Sequence, residues 1–280
     1  MARPSRFEPH DPQTPGERRN RPRPLRPEIL FENSSTLVIS KPAGLPVIPG
    51  RSPQDRPSLK EWLEKRSPGT GVYVVHRIDK LVSGAVLFAR TPPAHRHYCS
   101  AFERGSIDKR YLAVVEGSPA EDKGAIEIPL VVSKGLSFPA PKSAVRHARC
   151  HRTSFVVLER FHRYCLLELR THTGFHHQIR AHLKAIGLPL AVDPLYGRRD
   201  SLRLSDLKGR ERYKPAASLS SEPALIDRVS LHASSLSFEE YETGRWVEIA
   251  APAPRDFRYL IKALRKYDLS RPGQLRLTAR

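Results

Sequence analysis

The stretch Val74-Val75-His76-Arg77-Ile78-Asp79-Lys80-Leu81-Val82-Ser83-Gly84-Ala85-Val86-Leu87-Phe88-Ala89 decides how the rest of the chain is read. Two apolar runs, Gly71 to Val75 and Gly84 to Ala89, flank a short polar segment that carries one arginine and one aspartate. Strand formers dominate both runs, which predicts strand, exposed turn, strand. A charged group between two buried strands stands on a rigid frame, where a positioned catalytic side chain belongs. Asp79 has two readings at this point. It is either a turn aspartate bonded to its own backbone, a common fate, or a catalytic carboxylate.

Composition narrows the field. The 280 residues are ample for a core, 39% are hydrophobic and 28% charged, and the formal net charge is +19. Such an excess points to a polyanionic partner, with RNA ahead of an anionic membrane because neutralised phosphates release counterions. No apolar run approaches the ~20 residues of a spanning helix, and the N-terminus lacks the apolar centre of a secretion signal. Cys99, Cys150 and Cys165 give no disulfide framework. The expected location is the cytoplasm.

Along the chain, residues 1–28 repeat arginine and proline with little that is apolar, and are expected to form a disordered basic arm. That arm serves either as a non-specific RNA contact or as a solubilising tail. The ordered domain is expected over 29–268 and a basic tail over 269–280. Within the domain, strands are predicted at 36–40, 109–117, 164–170, 231–238 and 246–250, with strand-like runs at 124–132 and 144–158. Ser58-Leu59-Lys60-Glu61 has capping-box spacing and predicts a short helix to about Arg66. Thr91-Pro92-Pro93 opens a helix to Glu103, and a third helix runs from His177 to Ile186, stopped by Gly187. A polar, basic segment at 198–228 is expected to be a surface insertion. The final helix begins near Asp256, and its lysines and arginines are either a solvated face or part of an RNA surface. The fold class is α+β, with a mixed, mainly antiparallel sheet flanked by helices and loops.

Metal and nucleotide chemistry find little support. His172, His176, His177 and His182 lack a carboxylate partner at metalloprotease spacing, and the cysteines are scattered. There is no phosphate loop and no dinucleotide fingerprint, so no metal and no cofactor are expected. What remains is an acid in a turn, Tyr111 after a basic turn, and Arg180 on a helix. Together they resemble a known set. His76-Arg77-Ile78-Asp79-x-x-x-Ser83-Gly84 is similar to the central motif of the RluA family of pseudouridine synthases. Lys41-Pro42-Ala43-Gly44-Leu45 and Lys109-x-Tyr111-x-Ala113 resemble two further family motifs. So do Thr173-Gly174-x-x-His177-Gln178-Ile179-Arg180-x-His182-Leu183, Asp193-x-x-Tyr196-Gly197 and Leu231-His232-Ala233. The resemblance spans about 29–260.

The resemblance implies the pseudouridine synthase catalytic fold and an isomerase acting on uridine in ribosomal or transfer RNA. The bond from C1′ to N1 breaks, the uracil turns, and C1′ rejoins at C5. No atoms enter or leave, in keeping with the absence of cofactor motifs. It also implies Asp79, Tyr111 and Arg180 as catalytic residues: an essential carboxylate, an aromatic that stacks on the base and assists at C5, and the cation that pairs with the carboxylate. The carboxylate attacks the sugar, attacks the base, or stabilises positive charge at C1′. The target uridine must leave its stack, and Arg77 matches the family residue that fills the vacated space. His76, His177 and Gln178 are the further RNA- or substrate-binding residues that the resemblance implies.

Four positions depart from the family pattern: Val82 for threonine, Phe175-His176 for Arg-Thr, and Val192 for glycine. They bear on target choice, since the three catalytic positions are intact. No room is left before Ile29 for an S4-type domain, so targeting is expected to rest on the domain, arm and insertion. No obligate protein partner is evident, and a monomer is expected. Two rival readings are a catalytically silent RNA-binding relative and a nucleoside hydrolase. The second would need a paired acid that the motif lacks.

Overall fold

The structure, a computed structural model, describes residues 26–50, 57–141, 143, 150–209, 211, 213–214 and 222–269. The arm expected over 1–28 and the tail over 269–280 thus lie almost wholly outside the described residues. Strands β1 (Glu28–Glu32) and β2 (Thr36–Lys41) form a hairpin. Its turn is an Asx turn, because Asn33 Oδ1 accepts from the amides of Ser35 and Thr36 at 3.1 and 2.7 Å. Helix α1 (Leu59–Arg66) starts at Ser58 with the full capping box that the spacing predicts. Strands β3 (Tyr73–Val74) and β4 (Ser83–Ala89) bracket the Asp79 segment. The first of these is shorter than its apolar run suggests, since Val75 onward is already loop.

Helix α2 (Pro92–Glu103) is capped by Thr91 and leads into β5 (Asp108–Glu116). The run expected over 124–132 divides at Pro129, which has no N–H to give a ladder. Strand β6 (Lys123–Glu127) stays with the main sheet, while β7 (Leu130–Ser133) pairs with β8 (Leu136–Pro139) as a separate hairpin. Strands β9 (Arg152–Arg160) and β10 (Tyr164–Thr171) follow, then α3 (Gln178–Ala185). Residues 144–149 of the other strand-like run lie outside the described residues.

The segment expected as a polar surface insertion is a partial correction. It contains β11 (Leu202–Arg203), α4 (Leu204–Lys208) and β12 (Ala224–Ile226). Leu202, Leu207 and Ile226 are buried against the last helix, so the ends of this segment belong to the core. Three apolar residues spread through a polar stretch carry no periodicity that a sequence reading can detect. The chain closes with β13 (Leu231–Glu239), β14 (Trp246–Ala250) and α5 (Arg255–Tyr267).

The main sheet runs β1-β2-β4-β13-β5-β10-β9-β6, with β3 also on β4 and β14 also on β13. Every pairing in it is antiparallel except β4 with β13, where His232 faces Ser83 and Ala233 faces Gly84. Gly84 makes that junction possible. Its φ is +123°, and a Cβ there would sit 2.1 Å from the carbonyl oxygen of Ala233. Strand β4 is buried along its whole length because both faces are covered, Ala85 and Leu87 on one side and Val86 and Phe88 on the other.

Strand alternation assigns two sides to the sheet's other half. Tyr111, Ala113 and Val115 of β5 join Leu167 and Leu169 of β10, Ile179 and Leu183 of α3 in one core cluster. Leu112, Val114 and Leu166 point the other way, into a cluster with Phe257, Leu260 and Leu264 of α5. Helices α3 and α5 therefore cover opposite faces. No described helix is long and apolar enough to cross a membrane.

Candidate active site

Three segments distant in sequence converge beside β4: the loop after β3 brings Asp79, β5 brings Tyr111, and α3 brings Arg180. Arg180 Nη1 donates to Asp79 Oδ2 at 2.8 Å. Its other edge forks onto Asp193, with Nε and Nη2 each 2.7 Å from a carboxylate oxygen. Arg180 is 4% exposed and Asp193 0%, whereas Asp79 keeps 26% of its side-chain surface open. The inner carboxylate anchors the guanidinium, and the outer one meets the cleft. A bidentate fork fixes orientation as well as charge.

Burial pushes the Asp193 carboxyl up. The bonds and charge of Arg180 and the amides of Leu195 and Tyr196 outweigh it, holding the group below its ordinary value. Arg180 is pushed down by burial but held above its ordinary value by Asp193 and Asp79. Both stay charged, and the guanidinium Cζ also lies 4.9 Å from the Tyr196 ring centroid.

The turn that carries Asp79 is pinned from outside. Asp79 accepts the Val82 amide on its backbone oxygen at 3.1 Å, and the next carbonyl, Lys80, takes the Gly44 amide at 2.8 Å. Lys41 is 1% exposed, and its Nζ donates to the carbonyls of Pro42, Leu45 and Lys80 at 3.0, 2.8 and 3.1 Å. Burial lowers its pKa, with the charge of Asp79 opposing. The Lys41–Gly44 loop is thus a bracket for the aspartate turn.

The cleft over this pair has a volume near 670 Å³ and takes in Arg77, Phe102, Lys109, Tyr111, His172 and Phe175. Tyr111 is half-buried at its side, bonded to Thr171. Burial, then the negative charge of Asp79, pushes its phenol up to about 12. Lys109 lies two residues before it on the same face, with Nζ 5.4 Å from the Phe102 ring centroid, and burial lowers its pKa to about 8. Arg77 is exposed, and among the described residues no hydrogen bond or ion pair is recorded for it. It borders this cleft and a second depression formed by Pro46 to Gly50 and His176.

His76 faces inward: Nε2 accepts the Leu87 amide at 3.0 Å and the ring stacks on Phe102 at 4.6 Å. Burial, and then Lys109, lowers its pKa to about 3, so it is a neutral strut for β4. His177 stands 3.5 Å from Asp79 Oδ2 through Nε2, in a left-handed conformation at φ 50° that is strained for a non-glycine residue. The Tyr196 hydroxyl accepts from Ser137 N at 2.6 Å and lies 3.1 Å from His177 Nδ1. That hydroxyl proton is then free to go to Nδ1, which leaves the His177 proton on Nε2, facing Asp79. Burial lowers His177 to about 4, so the ring is neutral at pH 7.

Gln178, expected at the RNA, borders the cleft but is 4% exposed, with its side-chain amide engaged inside the protein. Its Nε2 donates to Arg152 O and Thr153 Oγ1, and its Oε1 accepts from Thr173 Oγ1 and Phe175 N. It ties the 173–175 loop to β9.

The sequence reading did not single out Asp193, Lys41, Lys109 or Tyr196 as site residues. All four sit inside the motifs that carry the family resemblance, and their types were the available signal. Among the described residues no group of three or more His, Cys, Asp or Glu could hold a metal ion.

Comparison with known proteins identifies the family. Residues 35–185 match the family described as RNA pseudouridylate synthase. An uncharacterised RNA pseudouridine synthase of Bacillus subtilis, YlyB, is 32% identical over 249 residues, covering 87% of this chain and 74% of the relative. The ribosomal large subunit pseudouridine synthase D of Pseudomonas aeruginosa is 34% identical over 251 residues, covering 85% and 72%. Among solved structures, the human RNA pseudouridylate synthase domain containing 4 superposes with a TM-score of 0.62 at 24% identity, covering 85% of this chain and 92% of that one, which supports the fold. With a family match over more than half its length and relatives above 30% identity along most of it, the chain belongs to the RluA-type RNA pseudouridine synthases, the isomerases that convert uridine in RNA to pseudouridine.

Proposed function

We propose that this protein isomerises uridine in large-subunit ribosomal RNA, with Asp79 as the essential carboxylate. The observation that carries the assignment of Asp79 is its position: an accessible oxygen pair at the cleft, held 2.8 Å from an arginine that a buried second carboxylate fixes in place. A guanidinium at that distance fixes the carboxylate's orientation at the cleft, and a carboxylate so placed either attacks carbon or stabilises a cationic C1′. The ribosomal target is supported by relatives such as the Pseudomonas aeruginosa enzyme, whose name specifies the ribosomal large subunit.

Tyr111 supplies a flat surface beside Asp79 for the uracil ring, which suits a step in which the base must rotate in its plane. With its phenol held at about 12, it enters the reaction as a neutral hydroxyl at pH 7. Arg77, exposed at the junction of two depressions, is placed to occupy the gap left by an extruded nucleotide and to meet phosphates.

The test is Asp79→Asn, which keeps size and hydrogen-bonding reach but removes the charge. Pseudouridine mapping of total RNA from cells carrying the wild type, the variant or neither is expected to show one or more large-subunit sites lost in both the variant and the null. The variant should bind the same RNA fragment with an affinity within about threefold of wild type. Normal modification by Asp79→Asn would overturn its role, and sites confined to transfer RNA would overturn the ribosomal assignment.

A further inference from the structure

We propose that the outer face of α5, with Lys208 beside it, is a second RNA-binding surface that grips the phosphate backbone of a large folded RNA away from the target uridine. The proposal rests on the reading that RNA is the substrate and adds a requirement on its size. Alternation along β5 places Lys109 and Tyr111 at the cleft and turns Leu112 and Val114 toward α5. The helix therefore lies behind the catalytic sheet.

Its inner face, Phe257, Leu260, Ala263 and Leu264, is buried. Its outer face presents Arg255, Arg258, Lys262 and Lys266, all exposed and spaced three, four and four residues apart, which lines them up in one stripe. Like charges at that spacing disfavour a helix. Among the described residues no carboxylate pairs with any of the four. The nearby acids are committed elsewhere: Asp256 holds Arg228 at 2.7 and 3.0 Å, Asp268 holds Arg163 at 2.8 Å, and Glu159 takes Arg265 at 2.8 Å. The stripe is a cost to the isolated chain that a polyanion would remove.

Two tyrosines are interleaved with these cations. Tyr259 is 48% exposed with the Arg255 guanidinium 5.1 Å over its ring. Tyr267 lies between Lys208 and Lys266, at 4.7 and 5.3 Å. Cations alternating with accessible aromatic faces suit nucleic acid, since phosphates meet the former and unpaired bases stack on the latter. A bilayer surface would favour long aliphatic side chains, which this stripe lacks. Beyond Asp268, which is committed to Arg163, the sequence adds Arg271, Arg276 and Arg280 and no acid. An RNA that reaches both this face and the cleft must offer two separate elements or pass around the sheet, which a short stem-loop does not do.

The experiment compares wild type with a variant carrying Arg258→Gln, Lys262→Gln and Lys266→Gln, and separately with Tyr259→Ala. These exposed changes should not lower the melting temperature, and the triple variant should raise it slightly by relieving the repulsion. Binding is measured against a domain-sized ribosomal fragment and against a minimal stem-loop that contains the modified uridine. For the triple variant, the Kd on the large fragment is expected to rise about tenfold near 0.1 M salt, and the slope of log K against log salt to shrink by roughly two. Tyr259→Ala should weaken the same binding by about fivefold or more. Affinity and turnover on the stem-loop should be unchanged. Equal affinity and slope on the large fragment would overturn the proposal. So would triple-variant-sensitive binding to phosphatidylserine vesicles without any effect on RNA. Wild type that binds the fragment at this face but forms no pseudouridine in any RNA would sink the proposed function alone.

Discussion

Arg180 divides its guanidinium between a carboxylate that is sealed and one that is open, and the role proposed for Asp79 rests on that asymmetry. Replacing it with lysine keeps the charge but not the fork. Asp193, 0% exposed, would lose at least one of the two bonds it takes from Arg180, and Asp79 would lose its fixed partner. Arg180→Lys is expected to lower single-turnover isomerisation by at least ~100-fold and stability by about 3 kcal/mol. The checks are tritium release from C5-labelled uridine RNA and urea unfolding; a variant within tenfold of wild type on both would refute the anchoring role. Gly84 is the other residue on which the site depends. With φ at +123° and Ala233 O in the place of a Cβ, Gly84→Ala must part β4 from β13. The expected cost is about 4 kcal/mol or more, in the range reserved for backbone conflicts, and a soluble variant with an unchanged unfolding midpoint would contradict it.

Elements read well from sequence where local chemistry is decisive. Ser58 and Glu61 form both halves of their capping box, and the Ser58 side chain is buried. Ser58→Ala is expected to cost about 1 kcal/mol, measurable as a lowered urea midpoint at constant slope. Because α1 packs under β2 and β4 through Leu59 and Leu63, the loss should appear as global destabilisation, not as local fraying. Proline and glycine were equally direct: Thr91 with Pro92 opens α2, and Gly187 at φ 78° closes α3. Legibility ended where an element depends on a partner. The two-residue β3 exists because β4 pairs with it, and the β7–β8 hairpin stands apart because Pro129 interrupts a run that otherwise reads as one strand. Leu202, Leu207 and Ile226 became core only because α5 lies over them.

For the molecule as a whole, histidines set the acid limit. Burial is the leading cause that lowers His76 to about 3 and His177 to about 4, and it also lowers His182 and His232. Each is depressed from an unfolded value near 6.5. As pH falls through about 6.5 the unfolded chain takes up protons that the folded chain refuses, so stability present above that pH is lost on the way down to the folded values. The slope is at most ~1.4 kcal/mol per pH unit per histidine, and solvent at the partly exposed His76 and His177 reduces it. Stability is expected to drop by about 3 kcal/mol between pH 7 and pH 5. Denaturant titrations at the two pH values check this, and identical unfolding free energies would exclude it.

The α+β class, the helix starts and stops, the excess of positive charge and the motif set that brought Asp79, Tyr111 and Arg180 together as one resemblance were all legible in the residues. These are local or summable properties: caps, periodicity, residue types at fixed spacings. What each motif residue touches followed from the fold. It turned His76 and Gln178 inward as struts, made Lys41 a bracket for the Asp79 turn, and revealed Asp193 as the hidden half of a divided ion pair. It also put α5 behind the sheet, with its cations facing outward. Such assignments depend on which distant strands become neighbours and which oxygen lies within 3 Å of which nitrogen. Burial and pairing of that kind arise only once the chain has closed on itself.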